Sequence, residues 1–362
     1  MNRPELKRRI SREVNIGGVK IGAFHPIAIQ SMTTTDTRDV DSTVGQIDEL
    51  TEFGCEIIRV AVPDKAAAHA LHHIRKKITI PLVADIHFKH ELAIMSIDSG
   101  ADKIRINPGN IGDADRVEAV IAKARSAGVP IRIGVNHGSL EKDLVMEYGR
   151  DNPEALVMSA LRWIQFFEGR DFHDIVVSIK STDPDGLIES NTKLAAECDY
   201  PIHLGLTEAG PPLLGAVRST VALAPLLREG VGDTIRISLS GDPIEEIKAA
   251  KELLRSLGIR KEGVKIISCP TCGRVEVDLL GLVERVEKAT ARIKTPMTIA
   301  VMGCTVNGPG EVAGADIGVI GGKKKLILSR DGKSIATLPP DEFERRLMEE
   351  IDDFVKSRSE NS

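Results

Sequence analysis

The chain has 362 residues, 42% of them hydrophobic and 28% charged, enough for one large domain and a smaller one. A net charge of −5 with only 3% aromatic residues argues against general nucleic-acid binding, which favours a basic face and stacking rings. No apolar run approaches the ~18 residues of a membrane span, and the basic start MNRPELKRRISREVN has no apolar stretch, so neither a membrane segment nor a signal peptide is expected and the address is cytoplasmic.

After a segment that reads as a hairpin (REVNIGGVKIGAF), strand-like and helix-like runs alternate. Eight strands are predicted, over residues 27–31, 57–62, 80–86, 103–107, 130–136, 174–180, 201–206 and 234–239. The runs between them include DADRVEAVIAKARSAG and PIEEIKAAKELLRSLG, each ending on the glycine that commonly stops a helix. Eight evenly spaced β-then-α units predict a closed (β/α)8 TIM barrel, with a doubly wound open sheet as the alternative. The character changes after about residue 262. A cysteine-bearing strand end (VKIISCPTCGR), a helical stretch, the strand MTIAVMGC, a glycine-rich loop, a lysine-rich turn (GGKKKLIL) and a final amphipathic helix predict a small α+β domain. The expected domains are residues 1–262 and 263–362.

Four of the strands carry an arginine between aliphatic residues: IIRVAV (Arg59), KIRIN (Arg105), PIRIGVN (Arg132) and TIRISL (Arg236). Alternate strand residues face the helices and the barrel axis. Aliphatics facing the helices leave the arginines facing inward; the reverse would bury unpaired charge under the helices. The same parity turns Lys180, Asp85, His87, Asn107, Asn136, Ser238 and Ser240 inward, towards the strand ends where barrel enzymes place their sites. Any one arginine could serve in a structural ion pair. Five cations against one or two carboxylates call instead for a multiply charged anion, which guanidinium forks fit in bidentate geometry. SGDP after the eighth strand offers Asp242 as a helix cap where barrels seat phosphate. Glu208, just past strand seven and off the inward parity, is suited to proton transfer at the mouth.

Of five cysteines, Cys55 and Cys198 precede strands at the opposite end and read as buried apolar residues. Cys269 and Cys272 form C-x2-C, and Cys304 follows. Three thiols leave a metal site one ligand short, and Glu311, seven residues after Cys304, is an oxygen donor within reach. Structural zinc and an iron–sulfur cluster both satisfy this spacing.

The motifs HPIAIQSMTTTDTRD, RVAVPD, ADIHF, KIRINPGNIG, IRIGVNHGSL, SIKSTD, HLGLTEAG, IRISLSGDP, SCPTCGR and VMGCTVNGPGE together resemble the bacterial 4-hydroxy-3-methylbut-2-enyl diphosphate synthase family of non-mevalonate isoprenoid biosynthesis. The resemblance implies a barrel like that of dihydropteroate synthase and a C-terminal domain like parts of sulfite reductases. It implies a [4Fe-4S] cluster on Cys269, Cys272 and Cys304 with Glu311 as exchangeable fourth ligand. It also implies reductive ring opening of 2-C-methyl-D-erythritol 2,4-cyclodiphosphate, that substrate being held by Arg59, Arg105, Arg132, Asn136, Lys180, Arg236, Ser238 and Ser240. Glu208 would then act beside the substrate, with Glu311 the second catalytic carboxylate, while Asp85 and His87 match the family's motif without an assigned role. A ferredoxin or flavodoxin donor and a homodimer are implied as well. A zinc-bearing barrel transferase using the same anion cradle is the alternative enzyme, and a non-enzymatic iron–sulfur carrier would not need five inward cations.

Overall fold

In the computed structural model, which describes residues 7–22 and 24–359, the polypeptide divides into two units, one up to Arg260 and one from Lys261 onward. The first opens with an antiparallel hairpin, β1 (Val14–Ile16) and β2 (Val19–Ile21). Eight parallel strands follow: β3 (Ala28–Met32), β4 (Ile57–Ala61), β5 (Leu82–Asp85), β6 (Lys103–Ile106), β7 (Ile131–Asn136), β8 (Ile175–Lys180), β9 (His203–Leu204) and β10 (Thr234–Ile235). Their order is β8-β7-β6-β5-β4-β3-β10-β9, and a parallel bridge between Val177 and Ile202 closes the ring. The protein is therefore a (β/α)8 barrel, with helices connecting successive strands.

The alternation of side chains explains the closure. Ile58, Val60, Leu82, Ala84, Ile104, Ile106, Ile131 and Ile133 belong to the core shared with the surrounding helices. At the N-terminal end the opposite strand face supplies Ala28, Ile57, Val83 and Val176, which pack on Val14, Ile16 and Ile21 of the hairpin. The hairpin thus plugs the barrel floor, burying apolar surface that would otherwise face water. Aspartates begin many of the helices that follow strands. The carboxylates of Asp39, Asp64, Asp113, Asp183 and Asp242 accept from backbone N–H groups of their first turns, which would otherwise lack partners.

The seventh and eighth strands are shorter than the predicted 201–206 and 234–239. Beyond Ile235 the backbone finds partners outside a strand ladder: Leu239 N–H donates to Glu246 Oε1 at 3.1 Å and Ser240 N–H to the Gly210 carbonyl at 2.9 Å. Asp233 reinforces this thin seam. One of its oxygens accepts from Ile202 N–H at 2.8 Å, the other from Arg8 and Ser11 of the N-terminal arm.

The second unit is a mixed sheet of β11 (Val264–Ser268), β12 (Met297–Met302), β13 (Ile317–Gly322), β14 (Lys325–Arg330) and β15 (Lys333–Leu338), in that order. The first three strands are parallel and the last two add antiparallel. Helices Leu279–Thr290 and Phe343–Ser359 cover one face through Leu282, Val286, Phe343, Leu347 and Ile351. The other face carries a smaller cluster of Ala300, Met302, Val312 and Ile320, with Cys269 against it. The lysine run forms the β13–β14 turn, with Lys324 in the left-handed region at φ 60°. Among the described residues no helix is long and apolar enough to cross a membrane.

Candidate active site

Neighbouring strands bring the inward charges together. Asp85 at the end of β5 lies between two guanidiniums, with Oδ2 3.8 Å from Arg59 Nε and Oδ1 3.3 Å from Arg105 Nη1. Burial alone would raise the Asp85 carboxyl, but Arg59, Arg105 and Arg132 outweigh it and hold the group at about 2. Arg132 on β7 is 0% exposed, and none of its three guanidinium nitrogens has a hydrogen-bond partner within the described protein. Arg59 Nη1, Arg105 Nε, Gln30 Nε2 and Asn107 Nδ2 are buried and unpartnered in the same way. Buried donors normally find acceptors, so this concentration marks a place built for an acceptor-rich ligand. Asn136 and Lys180 stand side by side in register at the tops of β7 and β8.

Arg236 is held differently. Both its Nε and Nη2 donate to the Glu246 carboxylate, at 3.0 and 2.9 Å, and Ser31 Oγ donates to the same carboxylate at 2.8 Å. One face of the guanidinium is therefore committed to an ion pair within the protein. The Met32 thioether accepts from Arg59 Nε at 3.2 Å and Nη2 at 3.0 Å, and lies 3.7 Å from Arg236 Nη1. Thioether sulfur is a weak acceptor, so it spaces these two guanidiniums without neutralising them. Gly134 makes room for Arg105: a Cβ there would lie 2.9 Å from Arg105 Nε.

Among the described residues, Arg59, Lys103, Arg105, Arg132, Lys180 and Arg236 share this interior with the carboxylates of Asp85 and Glu246 alone. Burial and these cations push the ammonium groups of Lys103 and Lys180 well down, and His203 likewise. Burial also brings Arg59 down to about 10, which leaves it charged at neutral pH.

Other residues singled out in the sequence lie beyond the strand ends. Ser238 is half-buried and Ser240 exposed, both in the segment beyond β10 rather than at alternating positions of a strand, so parity does not govern them. His87 is exposed just past the end of β5, near enough to the Asp85 carboxyl to be among the groups that hold it down. Glu208 is exposed and adopts φ 56°, a left-handed conformation uncommon for a residue with a side chain and concentrated at functional sites. Asp242 caps helix Pro243–Ser256 by accepting from Ile244 N–H at 2.9 Å. Sequence reasoning missed Lys103, Gln30 and Glu246. Lys103 stands two residues before Arg105 and so shares its inward parity; Glu246 was visible as an acid among the apolar positions of its helix, beside Ile247, Ala250 and Leu254.

In the second unit β11 and β12 run parallel, pairing Ser268 with Val301, so Cys269 and Cys304 follow the same ends of adjacent strands. Gly303 N–H donates to Cys269 Sγ at 3.3 Å, and hydrogen bonding from Arg274 lowers the Cys272 thiol below its ordinary value. Such N–H donation favours thiolate, the ligand form of cysteine. Glu311 ends the short turn Gly308–Glu311, whose Gly308 packs so tightly under Ile320 that a Cβ would lie 2.4 Å from its Cγ2. The donor chemistry fits a metal cluster, although among the described residues no three His, Cys, Asp or Glu side chains are gathered to metal-binding distance. Cys55 is buried with its thiol pushed up to about 12 by desolvation, which makes it an inert apolar residue.

The family model described as the GcpE TIM-barrel domain matches residues 11–251, and that of the GcpE protein C-terminal domain matches residues 265–353. Over 349 residues the chain is 50% identical to the 4-hydroxy-3-methylbut-2-en-1-yl diphosphate synthase (flavodoxin) of Caldanaerobacter subterraneus subsp. tengcongensis, covering 96% of this chain and 98% of that protein. It is 51% identical over 346 residues to the protein of the same name from Clostridium tetani, covering 96% and 99%. Among solved structures, dihydropteroate synthase from Stenotrophomonas maltophilia aligns with a TM-score of 0.49 at 14% identity, covering 69% of this chain and all of that one. Barrel, second unit and near-full-length identity agree, and the chain belongs to the GcpE family, that of the 4-hydroxy-3-methylbut-2-en-1-yl diphosphate synthases.

Proposed function

We propose that this protein opens the ring of 2-C-methyl-D-erythritol 2,4-cyclodiphosphate by two-electron reduction with loss of water, giving 4-hydroxy-3-methylbut-2-en-1-yl diphosphate. It is an oxidoreductase of non-mevalonate isoprenoid biosynthesis, as its relatives' names indicate. The observation that carries the substrate reading is the barrel interior, where, among the described residues, cations exceed carboxylates and Arg132 has no partner. A diphosphate supplies the oxygens that those donors lack.

Arg59, Arg105, Arg132, Lys180 and Arg236 would grip the phosphate oxygens, with Asn136 at the rim and Ser238 and Ser240 donating from the β10 loop. Fixing the diphosphate in this way holds the ring in one pose and stabilises charge that builds as the ring opens. Asp85 keeps Arg59 and Arg105 spread between its two oxygens. Glu208 would deliver a proton to the departing hydroxyl from the mouth, its backbone strain aiming the carboxyl.

Cys269, Cys272 and Cys304, with Glu311, would hold a [4Fe-4S] cluster. Bound there, it would supply the low-potential electrons that no side chain can provide. Glu311, as the single oxygen donor of the set, is the ligand most readily displaced, which suits it to a catalytic role. Flavodoxin, named with the relatives, is the expected donor, ferredoxin the alternative; a homodimer in the cytoplasm completes the reading.

Anaerobic purification with iron, sulfide and zinc analysis tests this. About four irons and four sulfides per chain are expected. A colourless, zinc-loaded protein would remove the redox function. Glu311→Ala should fold normally but lose cluster or turnover, and an intact, fully active variant would exclude Glu311 as a ligand.

A further inference from the structure

Lys103 is 0% exposed at the start of β6, below Arg105 on the same inward face. Its Nζ crosses the barrel to Gln30 Oε1 on β3, 3.4 Å away, and among the described residues no carboxylate pairs with it. Gln30 offers only a neutral oxygen, and its own Nε2 is unpartnered. The neighbours from every inward-facing strand are mostly positive or neutral. Arg59 comes from β4, Arg105 from β6 itself, Arg132 from β7, Lys180 and Ser178 from β8, His203 from β9, and Arg236 just past β10. The two acids are Asp85 of β5, shared by Arg59 and Arg105, and Glu246 of helix Pro243–Ser256, bound to Arg236.

Four arginines, two lysines and two carboxylates would leave this interior at +4 if both lysines were protonated, before counting His203. Dry protein does not hold such a charge uncompensated. Guanidiniums keep their protons in proteins, so relief must come from the lysines. His203, fully buried with Nδ1 2.7 Å from Thr234 Oγ1, is already neutral at physiological pH in this field. Of the two lysines, Lys180 reaches the half-exposed rim, whereas Lys103 has no access to water.

We infer that Lys103 completes the anion site from beneath, and that the barrel draws a proton from solvent onto Lys103 when a dianionic diphosphate enters. The inference rests on the substrate reading above and extends it. The empty barrel holds Lys103 as a neutral amine. The ligand's charge restores the balance, so the amine takes up a proton and becomes an ammonium facing the anion through the Arg132 layer. Anion affinity then falls as pH rises, because the proton that must accompany the ligand becomes scarcer.

The test is isothermal titration of the full-length protein, without reductant, with 2-C-methyl-D-erythritol 2,4-cyclodiphosphate in buffers of different ionisation enthalpy near neutral pH. Each phosphate of this ligand has one ester and one anhydride link, which leaves a single, strongly acidic oxygen already ionised near neutral pH, so its charge is fixed and any proton exchanged belongs to the protein. Parent protein should take up about one proton per ligand, and Lys103→Met should abolish most of that uptake while binding about tenfold more weakly. Binding with no buffer dependence overturns the inference and leaves the substrate reading standing; uptake undiminished in Lys103→Met overturns the assignment to Lys103. Absence of binding by the parent protein overturns both. If Lys103→Met does not fold, Lys103→Gln supplies the same comparison, and the parent's buffer dependence alone decides whether a proton is taken up.

Discussion

Glu246 holds Arg236 through two hydrogen bonds, Oε2 to Nε at 3.0 Å and Oε1 to Nη2 at 2.9 Å, and the same carboxylate accepts from Ser31 Oγ and Leu239 N–H. It therefore fixes both the guanidinium and the backbone leading to Ser238 and Ser240. Glu246→Gln keeps the size but weakens both grips. Ligand affinity should fall about tenfold to a hundredfold, as for loss of one partner of a buried charge pair. Steady-state kinetics check it: KM should rise more than kcat falls. An unchanged KM would show that Arg236 needs no such anchor.

The Asp85 carboxyl is held at about 2 by Arg59 and Arg105 against the opposing effect of burial. An unfolded aspartate titrates near ~3.9, so the folded state binds its proton less readily. The resulting stability is fully present above pH ~4 and is lost as pH falls through ~2, a contribution on the order of 2 kcal/mol. Denaturant unfolding followed from neutral to acid pH should show that loss, and Asp85→Asn should flatten it while lowering stability at neutral pH. Equal acid sensitivity in both proteins would count against the Asp85 bridge.

Gly134 faces Arg105, and a methyl group placed there would lie 2.9 Å from Arg105 Nε and 3.0 Å from Nη2. The backbone of β7 itself accepts alanine, since Gly134 is not among the positive-φ residues. Gly134→Ala should thus leave thermal stability nearly unchanged, within about 1 kcal/mol, while displacing Arg105 and weakening diphosphate binding several-fold. A strongly destabilised variant would mean that the interior cannot yield at this point.

Glu208 is the exposed carboxylate with a left-handed backbone, at φ 56°. Glu208→Gln preserves shape and removes the proton. If the carboxyl serves proton transfer, kcat should drop roughly a hundredfold with affinity for the cyclic diphosphate little changed. Glu208→Gly relieves the strain and should raise stability by up to about 1 kcal/mol, measured by thermal unfolding. Full turnover in Glu208→Gln would relieve Glu208 of any chemical role.

What the sequence determined by itself was the alternation of β and α, the hairpin, and the inward turn of Arg59, Arg105 and Arg132. These follow from local periodicity: aliphatic residues on one strand face force the residues between them onto the other. The same logic applied one step further would have found Lys103. At His87, Ser238 and Ser240 local periodicity stops being a guide, because β5 and β10 end before them and the loops that follow set their placement. Only the tertiary structure decided how the charges balance. Asp85 serves two arginines of neighbouring strands, and Glu246 arrives from a helix to take one side of Arg236. Among the described residues Lys103 and Arg132 are left without a carboxylate, a long-range outcome of barrel closure that brings together residues far apart in the chain and that no window of sequence contains.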